Sequence, residues 1–162
     1  AGLSQATIGT ISLDGFTLSG QLNLSEQLTL DLSNRKWNHR TVSGVAITIE
    51  QTGVGLGYEF SLNDTVSANI GLGNLTTSGT ASYRDTFRSW SAASATYYVA
   101  GISADISEKT SIGVDVGGAT STSETAKIFN VSHKVSDDFG LIFSVYSGTE
   151  IDTYDLSLTY EF

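Results

Sequence analysis

The last nine residues separate into two faces. Tyr154, Leu156, Leu158, Tyr160 and Phe162 alternate with Asp155, Ser157, Thr159 and Glu161, the period of two that belongs to a strand with one apolar side. The same alternation runs through Phe16, Leu18, Gly20, Leu22 and Leu24, and through Val54, Leu56, Tyr58, Phe60 and Leu62. Shorter stretches repeat it at Leu28/Leu30/Leu32, Val66/Ala68/Ile70/Leu72, Tyr98/Ala100/Ile102/Ala104/Ile106, Ile112/Val114/Val116 and Phe139/Leu141/Phe143/Val145. Around Phe129, Val131 and Val135 the apolar face also carries Lys127 and His133.

A turn repeats between these strands. Leu24-Ser25-Glu26-Gln27-Leu28, Leu62-Asn63-Asp64-Thr65-Val66, Ile106-Ser107-Glu108-Lys109-Thr110 and Val135-Ser136-Asp137-Asp138-Phe139 share one order: aliphatic, small polar, acidic, any residue, strand restart. Three turn residues between flanking positions return the chain to the same face of a hairpin. The other connections are unequal: Asp14-Gly15, then about 34–52, 74–95, 119–125 and 147–150. Counting between turns predicts strands at 6–13, 16–25, 28–36, 53–62, 65–74, 95–106, 110–118, 126–135, 139–147 and 150–162. Ten strands, with eight as the alternative, put both termini on the short-turn edge. Val45, Ile47 and Ile49 alternate with parity opposite to Val54 onward, which reads as a bulged extension or an ordered loop.

Composition bears on which face is wet. The 162 residues fit one domain, and no run of about 18 apolar residues offers a membrane-spanning helix. Proline is absent, as suits a chain that needs its backbone N–H groups nearly everywhere. Cysteine is absent too, and the two histidines cannot build a metal centre, so neither metal nor cofactor is expected. A net charge of −9 disfavours nucleic acid. The polar faces carry Asp31, Glu59, Asp105, Asp115, Asp155 and Glu161 against Lys134, amid many Gly, Ser, Thr and Asn. With only 15% charged residues, these faces make a poor soluble exterior but a good lumen, and the apolar faces then meet lipid.

Short turns at one end, longer connections at the other and a final strand ending Tyr160-Glu161-Phe162 together resemble a Gram-negative outer-membrane β-barrel of the small porin or porin-like type. The resemblance spans the whole chain, 1–162. It implies an antiparallel transmembrane β-barrel in the bacterial outer membrane, with a signal peptide removed on export and lipopolysaccharide as a neighbour. It also implies insertion by the barrel assembly machinery, with Tyr160 and Phe162 as the assembly signal.

On this reading Asp31, Glu59, Asp105, Asp115, Lys134 and Asp155 line the lumen, and Tyr97, Tyr146, Ile128 and Ile142 on the same faces partly fill it. Five of the eight basic residues, Arg35, Lys36, Arg40, Arg84 and Arg88, fall with Trp37 and Trp90 in the two longest connections, where they suit lipopolysaccharide phosphates or a protein partner. His39, with Ser43, Glu50 and Asp85 in reach, lacks the spacing of a catalytic set, and no enzyme is expected. The expected function is a small passive, weakly cation-preferring channel. The alternative is a non-conducting structural or adhesive barrel acting through its outer loops. Deletion of Phe162 is expected to slow insertion into outer-membrane vesicles; unchanged insertion kinetics would remove the assembly role from the C-terminal aromatic.

Overall fold

The computed structural model describes residues 1–8, 10–41, 44–120, 125–148 and 151–160, with backbone alone for Arg40, Ser91, Ala92 and Ile151. The strands are β1 (Gly2–Ile8), β2 (Ile11–Asn23), β3 (Leu28–Arg40), β4 (Ala46–Ser61), β5 (Val66–Tyr83), β6 (Thr86–Ser107), β7 (Thr110–Ala119), β8 (Thr125–Lys134), β9 (Phe139–Ser147) and β10 (Ile151–Tyr160). Each pairs antiparallel with its sequence neighbours, and β1 pairs with β10, closing a ten-stranded barrel. Closure leaves no sheet edge to meet hydrocarbon, where an unpaired peptide group is costly.

The strands tilt strongly. Directly paired outward residues can be followed once around the wall, from Ile102 through Val114, Phe129, Val145, Tyr154, Gln5, Asp14, Asn38, Thr48 and Thr80 to Ser89. The path leaves β6 at residue 102 and returns to it at 89, a displacement of 102 − 89 = 13 residues that includes the irregularity opposite Thr77/Gly79. Such a stagger in ten strands corresponds to a tilt of about 40°, and β6, the longest strand at 22 residues, holds both ends of the path. The path also changes solvent as it climbs, from Ile, Val, Phe, Val and Tyr to Gln, Asp, Asn, Thr, Thr and Ser.

The inward face changes in the opposite sense. The adjacent inward path runs Gly101, Asp115, Ile128, Tyr146, Thr153, Ala6, Leu13. Within the membrane the wall is apolar outside and polar inside; above the long-hairpin boundary it is polar outside and apolar inside. This exchange corrects four of the expected boundaries. Leu13 faces in and Phe16 faces out on one continuous β2, so Asp14-Gly15 is no turn, and the chain reverses between Ile8 and Ile11 instead. Gly15 lies against β3, where an added Cβ would strike the Lys36 carbonyl. The stretch 34–52 is mostly strand, with only 41–45 connecting β3 to β4. The stretch 74–95 is a hairpin turning at Arg84-Asp85. Ile47 and Ile49 lie on a regular extension of β4, paired residue by residue with β3 and β5 without a bulge.

The lipid belt is ringed by exposed aliphatic and aromatic side chains, among them Leu3, Leu18, Leu56, Leu72, Ile102 and Leu156. At the short-turn end Tyr58 packs near Phe60 with ring centroids 6.2 Å apart and donates its hydroxyl to Gln27. Phe139 meets Tyr160 at 5.0 Å. Leu156→Arg puts a charge in the belt between Leu3 and Phe143, and is expected to cost about 2–4 kcal/mol. Ser157→Arg on the inner face should cost less. A lower urea midpoint for Ser157→Arg than for Leu156→Arg, both refolded into lipid vesicles, would mean that the facing is reversed.

Candidate functional site

Two regions gather the polar and aromatic side chains singled out by the sequence: the barrel interior and the sheet raised above the membrane by β3–β6. In the interior, Asp31, Asp115 and Asp155 face inward from β3, β7 and β10. Asp155 is buried and pairs with Arg35 (Nη2 to Oδ2, 3.2 Å), and Thr17 donates to it at 3.4 Å. Arg35 also donates to Gln51 at 3.5 Å, and Gln51 to Thr77 at 3.4 Å, while the Arg35 Nε is buried without a hydrogen-bond partner. Asp31 accepts from Thr29 at 3.4 Å. Asp115 is held from both sides by amide donors, Asn69 at 2.9 Å and Asn130 at 2.7 Å.

Large side chains lie flat across glycines on this inner wall. A Cβ on Gly55 would fall on the Tyr97 hydroxyl, and one on Gly73 on the Tyr97 ring; the glycines therefore make room for an aromatic that crosses β4 and β5 from β6. Nearer the long-hairpin end the interior is apolar and tightly filled. Leu13 (1% exposed), Ala6 (3%) and Trp37 (7%) form a core against which Ile8, Ile47 and Ile49 pack. The Trp37 indole N–H is satisfied by Ser4 at 2.8 Å. Toward the short turns the interior opens into a cavity of about 310 Å³ lined by Glu59, Asn69, Asp105, Asp115, Asn130 and serines. A second space of about 650 Å³, bordered by Asp105, Lys134, Asp137 and Asp138, continues to the turns.

Two expected outer-loop contacts are thereby corrected. Arg35 and Trp37 belong to β3 and point inward, Arg35 to its carboxylate and Trp37 into the apolar core, because odd-numbered residues of β3 share the lumen face with Asp31. Lys36 points outward beside Phe16 at the long-hairpin boundary, and the side chain of Arg40 lies outside the described residues. Glu59, Asp105 and Lys134 have inward parity but are exposed near the short-turn end. His39 bonds the Ser12 carbonyl at 2.6 Å and lies on the face opposite Glu50, which accepts from Asn34 at 3.0 Å. Ser43 is outside the described residues, and Asp85 stands at the tip of the β5–β6 hairpin. His133 faces outward at the short turns, bonded to Thr110 at 2.9 Å. Tyr160 lies in β10, while Phe162 is outside the described residues.

The raised sheet presents polar residues outward, cross-linked by bonds such as Thr48 to Asn38 at 2.9 Å and Ser94 to Asn74 at 2.7 Å. Its inner side carries Ile47, Ile49, Leu75 and Ala81, with Trp90 lying over Gly79, where any Cβ would enter the indole. At its tip Arg84 adopts a left-handed conformation (φ 51°) with its guanidinium 5.1 Å from the Tyr83 ring centre. Tyr83, Phe87 and Trp90 are exposed there. Reading each strand with one fixed apolar face concealed this sheet; the parity reversal between Ile49 and Val54 was the signal for it.

A closed antiparallel barrel with an apolar outer belt, short turns at one end and raised hairpins at the other defines the class: the fold is that of outer-membrane β-barrel proteins. Among solved structures it is similar to Ail, the attachment invasion locus protein of Yersinia pestis, with a TM-score of 0.51 and 16% identity over 99% of this chain and 94% of that one. Ail in complex with the heparin analogue sucrose octasulfate aligns at 0.52 and 15%, with the same coverage. The N-terminal β-barrel domain of Pseudomonas aeruginosa OprF aligns at 0.50 and 13%, covering 95% of this chain and 93% of that one. No protein-family model matches the sequence, and no curated protein does. Both a channel and an attachment barrel fit this fold.

Arg35→Ala leaves the Asp155 carboxylate with Thr17 alone, and a cost of about 1–3 kcal/mol is expected. Arg35→Met combined with Asp155→Leu should recover most of it, because well-packed apolar replacements of an ion pair are often near neutral. Urea unfolding of the refolded single and double variants measures both; a double variant no more stable than Arg35→Ala would show that the pair is not a unit.

Proposed function

We propose that this chain is an outer-membrane barrel whose lumen is plugged and which works through the sheet it raises above the membrane. The observation that carries the reading is the filled interior at the long-hairpin end, where Ala6, Leu13 and Trp37 are nearly inaccessible to water. An ion crossing this layer would shed its hydration among apolar side chains, at high cost. The polar outer face and the exposed aromatic and basic tip then serve as the surface on which the protein acts. The Ail complex with a heparin analogue supports ligand binding as a use of such a barrel.

Lys36 and Lys127 face outward at the long-hairpin boundary, Lys127 between Val116 and Ser147, and there they pair with lipopolysaccharide phosphates. Export with loss of a signal peptide, and insertion by the barrel assembly machinery reading Tyr160 and Phe162, complete this reading. A second reading, a weakly cation-preferring channel, draws support from the polar cavity lined by Glu59, Asp105 and Asp115, and requires the apolar layer to open.

Planar-bilayer recording of the refolded protein separates the two. The wild type should be silent, and Leu13→Ala with Trp37→Ala, which empties the plug, should give measurable current. Steady wild-type steps whose cation preference falls in Asp31→Asn with Asp115→Asn would instead establish the channel.

A further inference from the structure

β6 outruns the strand beside it. β7 ends at Ala119, paired with Tyr97, and the Thr120 N–H donates to the Thr96 carbonyl at 2.8 Å. From Thr86 to Ala95, among the described residues, β6 has a strand partner on one side only, β5. The opposite margin of the raised sheet is protected, because β2 accompanies β3 as far as Asn38. Among the described residues, one edge of ten residues, 86–95, therefore stands above the membrane without a second strand. In an antiparallel ladder both backbone groups of a residue turn to the same side. Thr96 turns toward β7, so Ser94, two residues on, turns its N–H and C=O toward the same side, where β7 has ended.

Edges of this kind are templates for a further strand unless they are blunted. This one carries no proline; the register irregularity opposite Thr77/Gly79 and the charge of Arg88 are its interruptions. Its side chains alternate in character. Phe87, 65% exposed, pairs with Ser82 on the outward face, while Arg88 and Trp90 lie on the inward face opposite Ala81 and Gly79.

We propose that the free edge of β6, Thr86–Ala95, receives an extended segment of a partner polypeptide as an added strand, with acidic residues on the face it shares with Arg88 and apolar residues on the face it shares with Phe87. This rests on the reading that the protein acts through its raised sheet, and names the kind of partner. Backbone pairing supplies the affinity, and the alternating side chains the selectivity. Charge selects the occupant: residues 84–95 carry Arg84 and Arg88 against Asp85, a local excess of positive charge in a protein of net charge −9. A second copy fits less well, since two molecules standing the same way up in one membrane bring their β6 edges together in parallel, with Arg88 level with Arg88.

The test uses the full chain in lipid nanodiscs and synthetic peptides of about ten residues, a strand length matching the edge. One peptide alternates valine and glutamate, a second valine and lysine, and a third is the first N-methylated throughout. The readout is amide hydrogen exchange. The valine–glutamate peptide should slow the free-side amides of 86–95, Ser94 among them, by roughly tenfold or more, with a weaker effect from the lysine peptide and none from the N-methylated one. Ser94→Pro, which removes a free-side donor along with the hydroxyl bond to Asn74 of β5, should weaken that peptide's binding, whereas Ser94→Ala, which loses the hydroxyl bond alone, should not.

No slowing by any peptide, or equal slowing by the N-methylated peptide, would overturn the proposal. Slow exchange already present without peptide would also overturn it: its growth with protein concentration would assign the edge to a second copy, and its independence of concentration to the chain itself. A conducting wild type overturns the plugged-barrel reading; a silent barrel with an unprotected edge overturns only the added strand.

Discussion

Peptide groups in hydrocarbon have no water to bond, and this single requirement shapes the molecule. It forces the sheet to close, β1 onto β10, and ten strands closed with this stagger must tilt. Tilt also lengthens the crossing, since a strand inclined to the membrane normal needs more residues to span the same thickness. The raised sheet of β3–β6 extends beyond what closure requires, since β7 to β10 close the same barrel with nine or ten residues each. The absence of proline follows from the same demand, since almost every N–H in the wall is needed by a neighbour.

The wall separates two apolar regions lying on opposite sides of it at different heights. Below the long-hairpin boundary, Leu18, Leu56 and Leu156 face lipid while Asp31, Asp115 and Asp155 face one another's donors inside. Above it, Trp37, Ile47 and Ile49 make a small core of the kind found in soluble proteins, and Asn38, Thr48 and Thr80 meet water. Between the two lies the Arg35–Asp155 pair, the charged layer over which the interior passes from wet to dry.

Much of this was legible in the sequence wherever one face stays apolar for a whole strand. The alternation of Tyr154 to Phe162, the four matching turns and the even strand count gave the barrel, because each rests on local periodicity. Boundaries failed where the solvent changes along a strand. Leu13 and Phe16 differ in parity, and a reader expecting one apolar face inserts a turn at Asp14-Gly15; Ile49 and Val54 do the same to β4, and Trp37 is assigned to a loop. Parity also puts Asp155 and Arg35 on inner faces, yet it cannot reveal that they meet, because 120 residues of chain separate them and only the closed register brings β10 across to β3. The flat placement of Tyr97 over Gly55 and Gly73 was equally hidden: the glycines announced space without saying what would occupy it.

The seam at β1 and β10 bears on how the barrel comes to exist. Leu3 lies beside Leu156, a contact between residues near opposite ends of the sequence, whereas every other strand pair joins immediate neighbours. Hairpins from β1 to β10 can form in order as the chain becomes available, each with a short loop to close; the seam needs the entire sheet to curl first and is the slowest contact by the logic of loop entropy. Until it forms, two open edges of the same molecule coexist. The seven-residue β1 is therefore the clasp of the cylinder, and the period before it fastens is when the chain is most exposed to pairing with the wrong neighbour.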